Sequence, residues 1–289
     1  MKNKKQKGYG TMLFVSTVFM VITGYLGYTL VTTKGIYPKG EGRQYSEQVL
    51  TNTLPNVEGY YVSYSNDIIR NDFNTEAAKI NIKSQLSPDA VLSNVKVGIS
   101  NVIYQDNISW RDIHLWIPAK DGLDGSEYNP NTNSFTKGNK DVVHVVYSGR
   151  VVESQKLNKA INQLNNVANA IKTSTLNKTL NSPFGEMGTN YLNGCSNSSV
   201  DVKRNSLYCV FNFTNLSDIN ISGLTGLNKL DLLTPWGTQI QGINQDVDVV
   251  VNNKTYTLQS GSKPYTMAIS IKLPNDTRIT KIITQPISN

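Results

Sequence analysis

Imidazole, thiol and metal chemistry have little to draw on in this chain: its 289 residues include 2 His and 2 Cys. So few cysteines exclude a disulfide-dense miniprotein. Charged residues are 17%, against roughly 25% in ordinary soluble domains. Hydrophobic residues, at 38%, are too few for a protein that crosses a membrane many times. The glycine-serine elbow of hydrolases, the GxGxxG fingerprint, the phosphate-binding loop and HExxH are all missing. No internal repeat of fixed period and no heptad run is visible. What takes up the space is asparagine, with 34 residues. Val, Ile, Leu and 15 Tyr are spread along the chain, so long-range disorder is excluded. The length suits one large domain or two small ones.

The formal charge of +7 looks at first like a nucleic-acid signal, but its distribution says otherwise. Four lysines, Lys2, Lys4, Lys5 and Lys7, fall in the first seven residues, and no charged residue follows from Gly8 to Thr33. Nucleic-acid binding needs a basic stripe with interleaved aromatics. Elsewhere the basic groups are dispersed, so no nucleic acid is expected as a partner.

Within the uncharged gap, Met12 to Val31 reads MLFVSTVFMVITGYLGYTLV. Twenty helical residues rise about 30 Å, the thickness of a bilayer core. Tyr25 and Tyr28 stand near its outer end, where amphipathic rings favour the interface. A cleaved secretory signal is the alternative, but its apolar stretch runs about 7–15 residues before a small-x-small site. Here the stretch is longer and its exit, VTTKGIYPKG, has no A-x-A pattern. The expectation is a basic leader over residues 1–8 and a transmembrane helix over 9–33. The lysines before it keep the N-terminus cytoplasmic, which sends the rest of the chain to the far side. Cys195 and Cys209 agree with that. A disulfide between them would stabilise by about 3 kcal/mol in an oxidising compartment; two unrelated buried thiols are the alternative. Their spacing does not suit a zinc ribbon.

Residues 34–89 read as a linker with irregular structure and short helix, the best short helix lying around Ser46–Leu50. Tyr60, Tyr61, Val62 and Tyr64 suggest a strand, and Asp72 to Ser84 a helix. From Ala90 the pattern turns to β, and residues 90–289 are expected to form an exported α+β domain. Val95, Val97 and Ile99 alternate with polar neighbours. Ile113, Leu115 and Ile117 alternate too, with His114 and Trp116 on the other face. A long polar loop is expected from Pro118 to Lys140, then a buried strand over Asp141–Val152. Leu157, Ile161, Leu164, Ala168 and Ile171 form one stripe of a helix over Glu153–Ile171 that should cover a sheet. Strands follow at residues 208–214, 246–251, 254–259, 265–273 and 277–284. Asn252-Asn253 suits a hairpin turn, because Asn tolerates positive φ.

Few of these residues point to catalysis. His114 beside Trp116 reads as a surface or boundary residue, and two His on separate strands leave little for acid-base work. Asp121, Asp124 and Glu127 share a loop with Gly122 and Gly125, but their spacing departs from a calcium loop, so a solvated loop is preferred. The triplets at Asn107, Asn212 and Asn220 match glycosylation acceptors, as chance supplies in so Asn-rich a chain. No enzyme activity, metal or cofactor is expected.

The leader, KNKKQKG-YGTMLFVSTVFMVITGYLGY, resembles the class III leader of type IV pilins and type II secretion pseudopilins. The resemblance implies cleavage by a membrane prepilin peptidase at Gly8–Tyr9. The later order of elements is also similar: a helix packed on an antiparallel sheet, then a C-terminal loop closed by a disulfide. SPFG at 182–185 and TPWG at 234–237 resemble the Pro-aromatic-Gly turns of type IVb and shufflon-type tip pilins. One departure is Leu13, where most pilins carry a Glu that pairs with a neighbour's terminal amine. An apolar residue there suits a tip or initiating subunit, and equally a plain membrane anchor. A second is Gly35, Pro38, Gly40 and Gly42, which should end the helix early.

The implied function is a minor pilin-like subunit of a type IV-class pilus, or of a related secretion or conjugation machine, at the tip or at initiation and adhesive. The alternative is a bitopic envelope scaffold with an uncleaved anchor. The implied partners are other pilin-like subunits, the inner membrane and the prepilin peptidase. The implied place is the inner membrane with the C-terminal domain in the periplasm, or the cell surface. Cleavage after Gly8 would remove four Lys and leave 7 − 4 = +3.

Overall fold

The computed structural model describes residues 41–86, 92–118, 125–138, 142–181, 190–192, 213–216, 227–259 and 263–285. They fall into two compact units. The first takes the described residues up to Tyr60, then Asn74–Asn101 and Asp112–Ser148; the second takes Tyr61–Phe73, Val102–Arg111 and the described residues from Gly149 on.

The first unit is organised by a three-stranded antiparallel sheet, with β1 (Lys96–Ile99) and β7 (Val143–Ser148) flanking β4 (Asp112–Ile117). Alternation along β4 puts Ile113, Leu115 and Ile117 on one face, opposite Tyr147, Val145 and Val143 of β7. Helix α1 (Glu41–Asn52) lies against β7 and β4. Helix α2 (Leu54–Ser63) and the short α3 (Ser65–Ile68) follow it in sequence. Helix α4 (Thr75–Gln85) packs on β1. The Asn74 side chain caps α4 by accepting from the Ala77 N–H at 3.0 Å. Ala78 and Ile82, one turn apart, are its buried residues.

In the second unit, a hairpin of β2 (Ile103–Gln105) and β3 (Ile108–Trp110) turns at Asp106 and Asn107, both at positive φ. Helix α5 (Arg150–Asn181) then runs for 32 residues, about 48 Å at the usual rise. It lies on a four-stranded antiparallel sheet ordered β13-β12-β9-β8. These strands are β8 (Thr214–Asn215), β9 (Gln241–Ile243), β12 (Thr266–Lys272) and β13 (Arg278–Thr284). Leu157, Leu164, Val167 and Ile171 of α5 share a buried cluster with Met267, Ile269 and Ile271 of β12 and Ile283 of β13. Each such side chain contributes about 1.5–3 kcal/mol by leaving water. On the opposite face, Ala268 packs with Val249 and Leu258 from a second hairpin, β10 (Asp248–Val251) and β11 (Lys254–Thr257). β12 is therefore covered on both sides, and its residues from Met267 to Ile271 are all buried. Asn252 and Asn253 turn the β10–β11 hairpin at φ 50 and 62.

The expected architecture is corrected here. Among the described residues the chain is α+β with one long helix and several small antiparallel sheets, not the single mainly antiparallel sheet expected. Among the described residues no helix is long and apolar enough to cross a membrane. The stretch expected to span, residues 9–33, lies outside the described residues.

Four local expectations differ as well. The Gly-rich segment after Gly40 is largely helical, and Tyr60–Tyr64 extends helices rather than a strand. Pro55 does not break α2 because it falls in the first turn, where its missing N–H has no partner to lose. The loop from Pro118 to Lys140 contains a hairpin, β5 (Glu127–Asn129) and β6 (Ser134–Thr136). The strand expected to reach Val152 stops at Ser148, and α5 begins two residues on.

Candidate functional site

In the first unit, the second face of β4 carries Asp112, His114 and Trp116, and the β4–β7 register sets His144 opposite Trp116. The two histidines are thus diagonal neighbours on one face, within reach of each other. The β5–β6 hairpin covers this face through its aromatics. The Phe135 ring stacks on His144 with centroids 3.9 Å apart, and Tyr128 lies over His114 at 4.4 Å. Trp116 fills the remaining space, 5.3 Å from Phe135. Gly98, paired with His114 across β1 and β4, makes room for this cover. A Cβ there would stand 2.5 Å from the Tyr128 ring.

The polar atoms form one chain. His114 Nδ1 is 2.9 Å from His144 Nε2, and His114 Nε2 is 2.8 Å from Asn133 Oδ1. The Tyr128 hydroxyl donates to the same Oδ1 at 3.2 Å, while Asn133 Nδ2 donates to Asp112 Oδ2 at 2.7 Å. Asp112 orients the amide, and the amide orients the rings. Since Oδ1 only accepts, His114 carries its proton on Nε2 and accepts at Nδ1. His144 must then donate from Nε2, which leaves its Nδ1 as the free ring nitrogen. These tautomers follow from the hydrogen-bond network.

Burial sets the electrostatics. It pushes His144 down to about 4, with His114 and then Lys137 adding to the effect. His114 is also pushed down by burial, against the opposing influence of the Asn133 bond and Asp112. Both rings are therefore neutral near pH 7. Among the described residues neither ring hydrogen-bonds a Ser, Thr or Cys that it could activate. What the arrangement can do is fasten the hairpin to the sheet and take up protons as the pH falls.

A second buried polar group lies in the other unit, beneath the TPWG turn. Gly237 adopts φ 77, and its N–H closes the turn on Thr234 C=O at 2.9 Å. The turn presents Trp236, whose Nε1–H donates to Glu153 Oε2 at 2.9 Å. Glu153 is 1% exposed near the start of α5, and its Oε1 is 3.3 Å from the Lys156 ammonium. Burial raises the Glu153 carboxyl and lowers the Lys156 amine. Lys156 also donates to Ser65 Oγ at 2.6 Å and Asn66 Oδ1 at 2.9 Å. This group ties three segments of one unit together.

The residues singled out from the sequence fare unequally. Gly8, Tyr9, Cys195 and Cys209 lie outside the described residues, as do Asp121, Asp124 and the SPFG turn. Glu127 is exposed on β5. Among the described residues no group of three or more His, Cys, Asp or Glu could hold a metal ion. His114, read as a surface or boundary residue, is buried and meets His144, 30 positions away. Alternation could place each histidine on a strand face, but not the register that joins the strands.

Comparison with protein-family models, with curated proteins and with solved structures found no match.

Proposed function

We propose that the chain is a minor pilin-like subunit of a type IV-class pilus, or of a related secretion or conjugation machine. The leader carries this reading: four lysines, then Gly8 and Tyr9, then an uncharged stretch to Thr33. A long helix laid on an antiparallel sheet, as α5 is on β12 and β13, supports it. So does the TPWG turn, whose Trp236 is seated on the helix through Glu153. Leu13, where such subunits usually carry Glu, suits a place at the tip or at initiation, with no neighbour's amine to pair. The exported residues are weakly charged and rich in amides, a surface for contacts rather than for nucleic acid.

The same Leu13 favours a second reading, an envelope scaffold that keeps its leader and joins no filament. Shearing cells that express an epitope-tagged chain separates the two. A filament subunit is recovered with the sheared filaments. A scaffold stays wholly with the cell envelope, and that result would count against the pilin-like reading.

A further inference from the structure

We propose that the His114–His144 pair is an acid-operated latch: while neutral it holds the β5–β6 hairpin on the three-stranded sheet, and it lets the hairpin go as the rings protonate.

The hairpin depends on side chains for its attachment. Its strands have three residues each and pair only with each other, not with β1, β4 or β7. A lone two-stranded hairpin is marginal in water. Three of the contacts that hold it to β4 and β7 go through the two imidazoles: Phe135 on His144, Tyr128 on His114, and Asn133 Oδ1 on His114 Nε2; Trp116 packs on Phe135 and Tyr128, and Asp112 accepts from Asn133 Nδ2. Near the turn, the Asn101 N–H donates to Pro130 C=O at 3.0 Å and the Asn101 side-chain amide donates to Asn131 Oδ1 at 2.7 Å. Those bonds do not titrate, so the turn stays tethered while the rest lifts.

The neutral pair has one proton between two facing nitrogens. One added proton can go to His144 Nδ1. It keeps the bond to His114 but places a charge in a buried aromatic setting. A second must go to His114 Nδ1, the acceptor. Two N–H groups then face each other 2.9 Å apart, between cationic rings stacked at 5.1 Å. No hydrogen bond survives that arrangement.

The charges around the pair do not cancel this effect. Asp112 on β4 favours a cation at His114, but its Oδ2 is already bonded by Asn133. Lys137, just past β6, opposes a cation at His144. Lys96 on β1 shares the face opposite Trp116 and adds positive charge. Tyr128 lies over His114, and Glu127 of β5 is exposed. Burial pushes both imidazoles down, as a closed latch requires. If the open hairpin restores an ordinary imidazole near pH 6.5, His144 alone raises the opening constant roughly twentyfold between pH 7 and pH 5.

The experiment is hydrogen exchange on the full-length chain at about pH 7.5 and about pH 4.5, corrected for intrinsic rates, with NMR titration of both imidazoles. Amides in residues 127–136 should gain exchange by tens-fold at low pH, while α5 and β12 keep their protection. Both rings should titrate below the free imidazole value. His144→Gln, which retains a donor for His114 but cannot titrate, should make the acid opening several-fold smaller, leaving only the part due to His114. Three results would overturn the proposal: equal hairpin exchange at both pH values, exchange rising equally in α5 and β12, or acid opening of undiminished size in H144Q. Should H144Q fail to fold, the wild-type ring titrations decide, and a value at or above the free one for both rings is equally fatal.

Discussion

The indole N–H of Trp236 meets Oε2 of Glu153 at 2.9 Å, joining a surface turn to a helix 83 residues earlier in the chain. Glu153 is buried, so this bond and the Lys156 contact offset the cost of taking a carboxylate out of water. Trp236→Phe keeps a ring in the turn and removes the donor. It should cost about 2 kcal/mol in chemical denaturation. Much less should be lost when Glu153→Gln is already present, because the amide places no charge against the missing donor. Strictly additive losses in the double-mutant cycle would show that the bond contributes nothing specific.

Gly98 and Tyr128 give a second prediction. The ring lies where a Cβ on β1 would go, 2.5 Å away. Gly98→Ala should destabilise the first unit by about 1–3 kcal/mol through overpacking, with Tyr128 displaced and the hairpin amides less protected. Full retention of both stability and protection would mean that the ring does not rest on β1 in solution.

Protonation of the histidines sets how stability varies with pH. The His144 value is depressed in the folded state, to about 4. Above about pH 6.5, folded and unfolded forms are both neutral at this site and the full stability is present. As the pH falls, the unfolded ring takes up its proton first, so stability is lost down to about pH 4 and levels off below. The loss from this one group is at most about 3 kcal/mol. Urea denaturation of wild type and His144→Phe across that range checks it. Phe keeps a ring on Phe135 but leaves His114 Nδ1 without its donor, so it should lower stability at neutral pH and flatten the slope. An unchanged slope in H144F would assign the pH dependence to other groups.

Much of the second unit was legible because its elements follow local rules. Leu157, Leu164 and Ile171 repeat at helical spacing and are among the residues that α5 buries. Asn252-Asn253 marks a hairpin because few other residues accept positive φ at both places. Of the helices from Glu41 to Ile68, only the Ser46–Leu50 stretch was foreseen, for a physical reason. Their buried residues, Leu50, Val57, Tyr60, Tyr61 and Ile68, run across three short helices, so no one window shows a stripe. Aromatics at 60, 61 and 64 weigh toward a strand, yet tertiary burial of Tyr60 and Tyr61 decides for helix. The histidine pair needed more than any pattern supplies. It depends on the β4–β7 register and on a hairpin folded back over the sheet, both set by contacts distant in sequence.

The functional proposal stands on the leader, so the N-terminus is where to test it. The chain should be expressed with and without a prepilin peptidase and the mature protein sequenced from its N-terminus. The pilin-like account predicts a chain that begins at Tyr9 with the peptidase and at Met1 without it. A Met1 start under both conditions would contradict it.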